Sequence, residues 1–232
     1  GPDLVVSALT VPALSGAGVR ITVSDTTKNQ GGPAGATTTR FYLSTTPTLG
    51  PGAVQLGRRN IPSLAAGASS SGSTSVTIPL GTATGSYFIV ARADDGGVVA
   101  EAVETNNTLS RPIMIGPDLV ISALSAPATA AAGTKISIND TTSNQGGGAA
   151  LASTTRFYLS ATQTLGPAAV SLGARSVAIV GAGASRSGST QVTIPTGTAS
   201  GSYFIIAVAD ADGLVAETNE TNNASSRALT VP

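Results

Sequence analysis

Apolar and polar residues alternate with period two over several short stretches, and no stretch sustains a helical period. Val19, Ile21 and Val23 share one face of a predicted strand over 19–24. In Arg40-Phe41-Tyr42-Leu43-Ser44, Phe41 and Leu43 oppose Arg40 and Tyr42. Tyr87, Ile89, Ala91 and Ala93 alternate against Phe88, Val90, Arg92 and Asp94. Leu4 to Leu9 predicts a first strand and Leu109 to Ile115 a last one. Val76-Thr77-Ile78 runs into Pro79, which cannot sit in a central ladder and so predicts a strand end. Gly, Ser, Thr and Pro clusters separate these runs. About seven short strands with turn signals between them predict an all-β, immunoglobulin-like sandwich. Tyr87 and Tyr203, each just after a Gly-Ser turn, are candidates for tyrosine corners of that fold or for ordinary rim tyrosines.

The pattern is written twice. Gly1-Pro2-Asp3-Leu4-Val5 returns as Gly116-Pro117-Asp118-Leu119-Val120, and Asp25-Thr26-Thr27 as Asp140-Thr141-Thr142. One residue is then inserted in a Gly/Ala stretch, as a loop tolerates. Arg40 to Ser44 reappears as Arg156 to Ser160, and Gly85-Ser86-Tyr87-Phe88-Ile89 as Gly201-Ser202-Tyr203-Phe204-Ile205. All eight aromatics occupy duplicated positions. The expected organisation is two tandem domains, 1–115 and 116–232. Only Gly116-Pro117-Asp118 separates the last strand of one from the first of the next. Such a short, proline-containing joint predicts a stiff rod.

Composition narrows the function. Only 10% of the 232 residues are charged, against about 25% on average, and 12 basic residues balance 12 acidic ones. The chain has no Cys, His or Trp. Thiol nucleophiles, thiolate zinc sites and imidazole-dependent triads are therefore excluded. A neutral chain with Lys28 and Lys135 as its only lysines lacks the basic face that nucleic acid requires. No signal peptide opens the chain, and no apolar run is long enough for a membrane helix.

The most distinctive polar segment precedes the last strand of each repeat. It reads Asp94-Asp95-Gly96-Gly97-Val98-Val99-Ala100-Glu101-Ala102-Val103-Glu104-Thr105-Asn106-Asn107 in the first. In the second it reads Asp210-Ala211-Asp212-Gly213-Leu214-Val215-Ala216-Glu217-Thr218-Asn219-Glu220-Thr221-Asn222-Asn223. The strand Tyr-Phe-Ile-x-Ala-x-Ala-Asp followed by Val-Ala-Glu-x-x-Glu-Thr-Asn-Asn resembles the CARDB family, the cell-adhesion-related domain of bacteria. Pro-Asp-Leu-Val-x-Ser-Ala-Leu and the Asn-Gln-Gly after the second strand fit it as well. The resemblance spans nearly all of both repeats. It implies tandem extracellular β-sandwich modules of surface proteins, with an adhesive or structural role. Repeat one departs from the pattern where Ala102-Val103 replaces Thr218-Asn219.

Two chemistries of this turn stay open. Asp210, Asp212, Glu217, Asn219 and Glu220 could supply several of the roughly six to eight hard oxygens that calcium takes, although the spacing is not that of an EF-hand. Alternatively, Asp-Gly and Asn-Asn build a turn whose short polar side chains cap backbone N–H groups. Loss of Asn219 in repeat one favours the second. No cofactor is required, and calcium is the one candidate ion. Glu101 and Glu104 make a poor acid–base pair, with no cleft signal to separate their pKa values. Arg40 and Arg156 are candidate ion-pair or cation–π partners, or solvated strand-face residues. Glycosylation sequons occur at Asn106, Asn139, Asn219 and Asn223.

Edges poor in lysine and faces rich in Thr, Ser and Ala invite contact with copies of the same chain. The expectation is a non-enzymatic extracellular or cell-surface structural protein, either a fibre subunit assembling through head-to-tail or edge contacts or a passive stalk. The alternative is an adhesin module that binds a cell-surface protein or glycan at the loops around the acidic turn.

Overall fold

A computed structural model describes residues 1–232. The chain divides into two compact units, Gly1–Ile115 and Gly116–Pro232. Each is an all-β sandwich. No helix of the molecule is long and apolar enough to cross a membrane.

The first unit contains β1 (Leu4–Thr10), β2 (Leu14–Ser15), β3 (Arg20–Asn29), β4 (Thr37–Ser44), β5 (Val54–Ile61), β6 (Ser69–Thr77), β7 (Gly85–Arg92) and β8 (Thr108–Ile115). One sheet runs β1-β3-β6 and the other β2-β8-β7-β4-β5. The second unit contains β9 (Leu119–Ser125), β10 (Lys135–Asn144), β11 (Ser153–Ser160), β12 (Val170–Val177), β13 (Ser185–Thr193), β14 (Gly201–Val208) and β15 (Ala224–Val231). Its sheets run β13-β10-β9 and β12-β11-β14-β15. Where the first unit has β2, the second has one bridge between Thr129 and Thr230. All pairings are antiparallel except β2 with β8 and that bridge.

The period-two apolar positions supply both cores. Val23, Phe41, Ile89 and Ile113 are buried in the first, as are Ile138, Phe157, Ile205 and Leu229 in the second. Full burial of a phenylalanine such as Phe41 stabilises each core by about 1.5–3 kcal/mol. Tyr87 and Tyr203 lie near the starts of β7 and β14. Their hydroxyls donate back to the carbonyls of Ala83 (3.0 Å) and Ala199 (3.1 Å), the geometry of a tyrosine corner.

Two strands depart from the sequence expectation. β3 does not stop at Ser24. It continues to Asn29 with Asp25, Thr27 and Asn29 turned inward and buried. Burying these groups is tolerable because each is bonded. Arg59 grips Asp25 through Nε and Nη2 at 2.7 Å each, a bidentate pair whose carboxylate side is fully buried. Thr27 shares a hydroxyl bond with Thr39 at 2.7 Å. The second unit repeats this with Arg175, Asp140, Thr142 and Thr155. β6 likewise extends well before Val76, through a serine run. Cross-strand hydroxyl pairs hold it to β3, Ser24 with Ser73 and Thr26 with Ser71, both at 2.8 Å. Gly72 is required here, because a Cβ would lie 2.7 Å from Cδ of Arg59 where that side chain crosses the strand.

Candidate functional site: the acidic–asparagine turn

As β7 and β14 end, Asp94 and Asp210 adopt left-handed backbone conformations, φ 42° and 41°. Aspartate tolerates this region because its short carboxylate bonds locally. Gly97 and Gly213 follow at φ 58° and 60°, each donating its N–H back to the aspartate carbonyl at 2.8 Å. The Asp94 carboxylate then accepts from the N–H groups of Val98 (3.2 Å) and Val99 (3.0 Å), and that of Asp210 from Leu214 (3.3 Å) and Val215 (2.9 Å). Both aspartates are buried, committed to closing the turn. The Thr37 hydroxyl adds a third bond to Asp94. Its counterpart, the Ser153 hydroxyl, is buried without a partner.

The glutamates reach back to the first strand. One oxygen of Glu101 accepts the N–H of Leu4, and one of Glu217 that of Leu119. The second oxygen of each accepts the amide of Asn107 or Asn223 at 2.7 Å. Glu104 and Glu220 accept the N–H groups of Glu101 (2.9 Å) and Glu217 (2.8 Å), as the fourth residue of a capping box does. The N–H groups of Ala102 and Thr218 donate to the carbonyls of Pro2 and Pro117 at 2.8 Å. The amides of Asn106 and Asn222 donate to Asp3 and Asp118 at 2.9 Å.

Asn29 and Asn144 complete the arrangement. The Asn29 side-chain oxygen accepts from Asp3 (3.2 Å) and Gly31 (3.1 Å), while its amide donates to Gly32 (2.6 Å) and Leu64 (3.1 Å). Gly31 packs so closely on the chain start that a Cβ would lie 2.9 Å from the Asp3 nitrogen. Pro-Asp-Leu, Asn-Gln-Gly and Glu-x-x-Glu-Thr-Asn-Asn are thus three parts of one clasp, which ties the opening strand to the turn before the closing strand.

This geometry places the five candidate calcium ligands. Asp210, Glu217 and Glu220 belong to one turn, but both oxygens of Asp210 and Glu217 and one of Glu220 already accept protein N–H groups. Asp212 lies apart and pairs with Arg156 at 2.6 Å, which lowers its pKa. The Asn219 oxygen accepts from the N–H (3.1 Å) and hydroxyl (2.7 Å) of Thr221. No group of three or more acidic side chains is arranged to hold a metal ion. Burial raises the pKa of Glu217 to about 7, against the opposing effects of the Leu119 and Asn223 bonds, with Glu220 and Asp210 adding to the rise. Burial likewise raises that of Glu101.

Arg40 is an ion-pair residue, 3.0 Å from Asp95, which also accepts the Tyr42 hydroxyl at 2.8 Å. Burial, followed by the bond to Asp95, raises the Tyr42 pKa. Of the sequon asparagines, Asn223 is buried and donates to Glu217 and Ala209. Sequence reasoning gave no structural role to Arg59, Arg175, Asp25, Asp140, Asn29 and Asn144, although each recurs at its equivalent position in the other repeat. That recurrence of scarce charged and amide residues is the signal that marks them.

The CARDB family model matches residues 1–111 and 116–227. The chain belongs to this family, a non-catalytic, cell-adhesion-related group of domains associated with cell surfaces. No curated protein matches the chain. Among solved structures it is similar to a CARDB domain from Pyrococcus furiosus crystallised in complex with di-metal ions. That similarity has 20% identity and TM-score 0.40 over 50% of this chain and 90% of that one. The solution structure of the same archaeal domain gives 22% identity and TM-score 0.40 over 50% and 95%. Red sea bream transglutaminase is similar over 97% of this chain and 31% of its own, with 14% identity and TM-score 0.44.

Proposed function

We propose that this chain is a structural module of an extracellular surface, two sandwiches in tandem acting as a self-assembling fibre subunit or an adhesin stalk. The observation that carries this reading is where the acidic turn spends its polar groups. Asp94, Glu101, Glu104 and their counterparts accept hydrogen bonds from the chain's own N–H groups. The most polar segment therefore closes each sandwich mechanically, by tying its first strand to its last turn. Load applied to either strand meets this clasp as well as the sheet ladders. Electron microscopy and light scattering of the purified chain test the fibre form. Filaments or concentration-dependent growth are expected, whereas a monomer at every concentration leaves the stalk.

A second reading rests on Val98 and Leu214, which stand 69% and 73% exposed at the tip of each acidic turn. Aliphatic side chains presented on a rigid, hydrogen-bonded loop suit contact with a protein partner at the cell surface. Pull-down of surface proteins, lost on Leu214→Asp but retained on Thr230→Ser, would favour it.

A further inference from the structure

Every open sheet has edges, and a bare edge is a template for another strand. In this protein most edges carry a device that discourages pairing. β1 and β9 are bulged, between Val6 and Ala8 and between Ile121 and Ala123. β5 and β12 are bulged at Leu56 and Leu172. β6 and β13 carry neither bulge nor proline, and the bonds from Arg59 and Arg175 go to the carbonyls of Ser70 (2.8 Å) and Arg186 (3.3 Å), which point into the ladders with β3 and β10. β8 carries Pro112.

The direction of Pro112 follows from its neighbour. Met114 donates its N–H outward to Ala13, so by the alternation of an antiparallel strand residues 108, 110 and 112 also point outward. Proline therefore removes the donor at the centre of that edge. In β15 the equivalent residue is Ala228, opposite Phe204 as Pro112 is opposite Phe88. Thr230 donates outward to Ala128 and accepts from Ala130, so Ala224, Ser226 and Ala228 likewise point outward. β15 is the terminal strand of its sheet, and Ala224 and Ala228 are exposed.

We propose that the edge Ala224–Ala228 of β15 pairs antiparallel with the same edge of a second copy of this chain about a two-fold axis. The segment is self-complementary in that register. Ser226 faces Ser226 of the second copy, Ala224 faces Ala228, and Ser225 faces Arg227, so no like charges meet. All three outward residues fall at positions where a facing pair exchanges both backbone bonds. The facing serines have a precedent within the protein in Ser143 and Ser185, which stand directly opposite each other and share a hydroxyl bond. Such a contact uses the same patch twice and closes at a dimer. It names one contact for the self-packing module proposed above and rests on that reading.

Sedimentation velocity of the full chain across a concentration series tests it, alongside amide exchange. The wild type should dimerise reversibly, with exchange at Ala224, Ser226 and Ala228 slowing as concentration rises and exchange at Ser110 unchanged. Ala228→Pro, which copies the residue the first sandwich accommodates at this position, should weaken the dimer by about tenfold or more. Ala224→Pro, at the other end of the segment, should do the same. Pro112→Ala should open a second edge and drive association beyond the dimer. If both proline variants associate as the wild type does, the β15 contact is overturned while self-packing stands. A wild type that stays monomeric throughout overturns both.

Discussion

Glu217 and Glu101 make the same two bonds in the two sandwiches, yet their surroundings differ. Glu217 is only 8% exposed and burial lifts its pKa to about 7, whereas Glu101 is half-buried and raised by the same cause. The second aspartate of the turn is displaced by one residue between the repeats, Asp95 standing where the second has Ala211 and Asp212 where the first has Gly96. The Asp95 side chain is 7% exposed and is held by both Arg40 and Tyr42, while Asp212 is 31% exposed and pairs with Arg156. A duplicated sequence therefore copies bonds more faithfully than it copies environments. The bond list depends on residue identity, whereas burial depends on every neighbouring loop.

The largest effect should be the one the two units share. Asp25→Ala and Asp140→Ala each strand a guanidinium beside the core and should cost about 3 kcal/mol, equally in both sandwiches, by denaturant unfolding. Unequal losses would break the equivalence at its best-matched point.

Next comes pH. A carboxyl with a raised folded pKa binds its proton more tightly in the native state than in the unfolded chain. The contribution of Glu217 is therefore full below its ordinary value of 4.5 and is lost as pH rises through about 7. Between those limits the second sandwich should lose on the order of 2 kcal/mol after solvent screening, and the half-buried Glu101 should cost the first less. Glu217→Gln should flatten the profile. Amide exchange resolved by sandwich reads both.

Tyr42→Phe should then cost about 1 kcal/mol for the lost bond to Asp95, while Tyr158→Phe, which removes no such bond, should leave the melting midpoint in place. The smallest expected effect is that of calcium. With the turn carboxylates accepting backbone N–H groups, excess calcium should leave the midpoint unmoved, because only an ion bound to the native state raises it. A rise abolished by Glu220→Ala would instead point to an ion displacing the bond to the Glu217 N–H.

Strands with apolar alternation were legible in the chain alone. Phe41 and Leu43, or Ile89 and Ala91, announce which face is inward because a water-avoiding side chain every second residue has one cheap solution. The second half of β3 was not legible: Asp25, Thr27 and Asn29 carry no apolar alternation, and their burial makes sense only once partners from β4, β5 and the 64–68 turn are in place. The serine run of β6 was hidden for the same reason, since hydroxyl pairs reward a strand only once the other strand is beside it. At the acidic turn the residue types were visible and their purpose was not. Glu101 and Leu4 lie at opposite ends of one repeat, and an isolated carboxylate looks as much like a calcium ligand as like a clasp.

Local alternation and repetition, then, determined by themselves that this protein is β-structured and doubled, because side-chain direction along a strand is a short-range property. Which polar groups are buried, which carboxylate meets which N–H, and which edge is left bare were decided by the tertiary structure. Those outcomes depend on segments far apart in the chain arriving at the same place, where desolvation makes each missing bond costly.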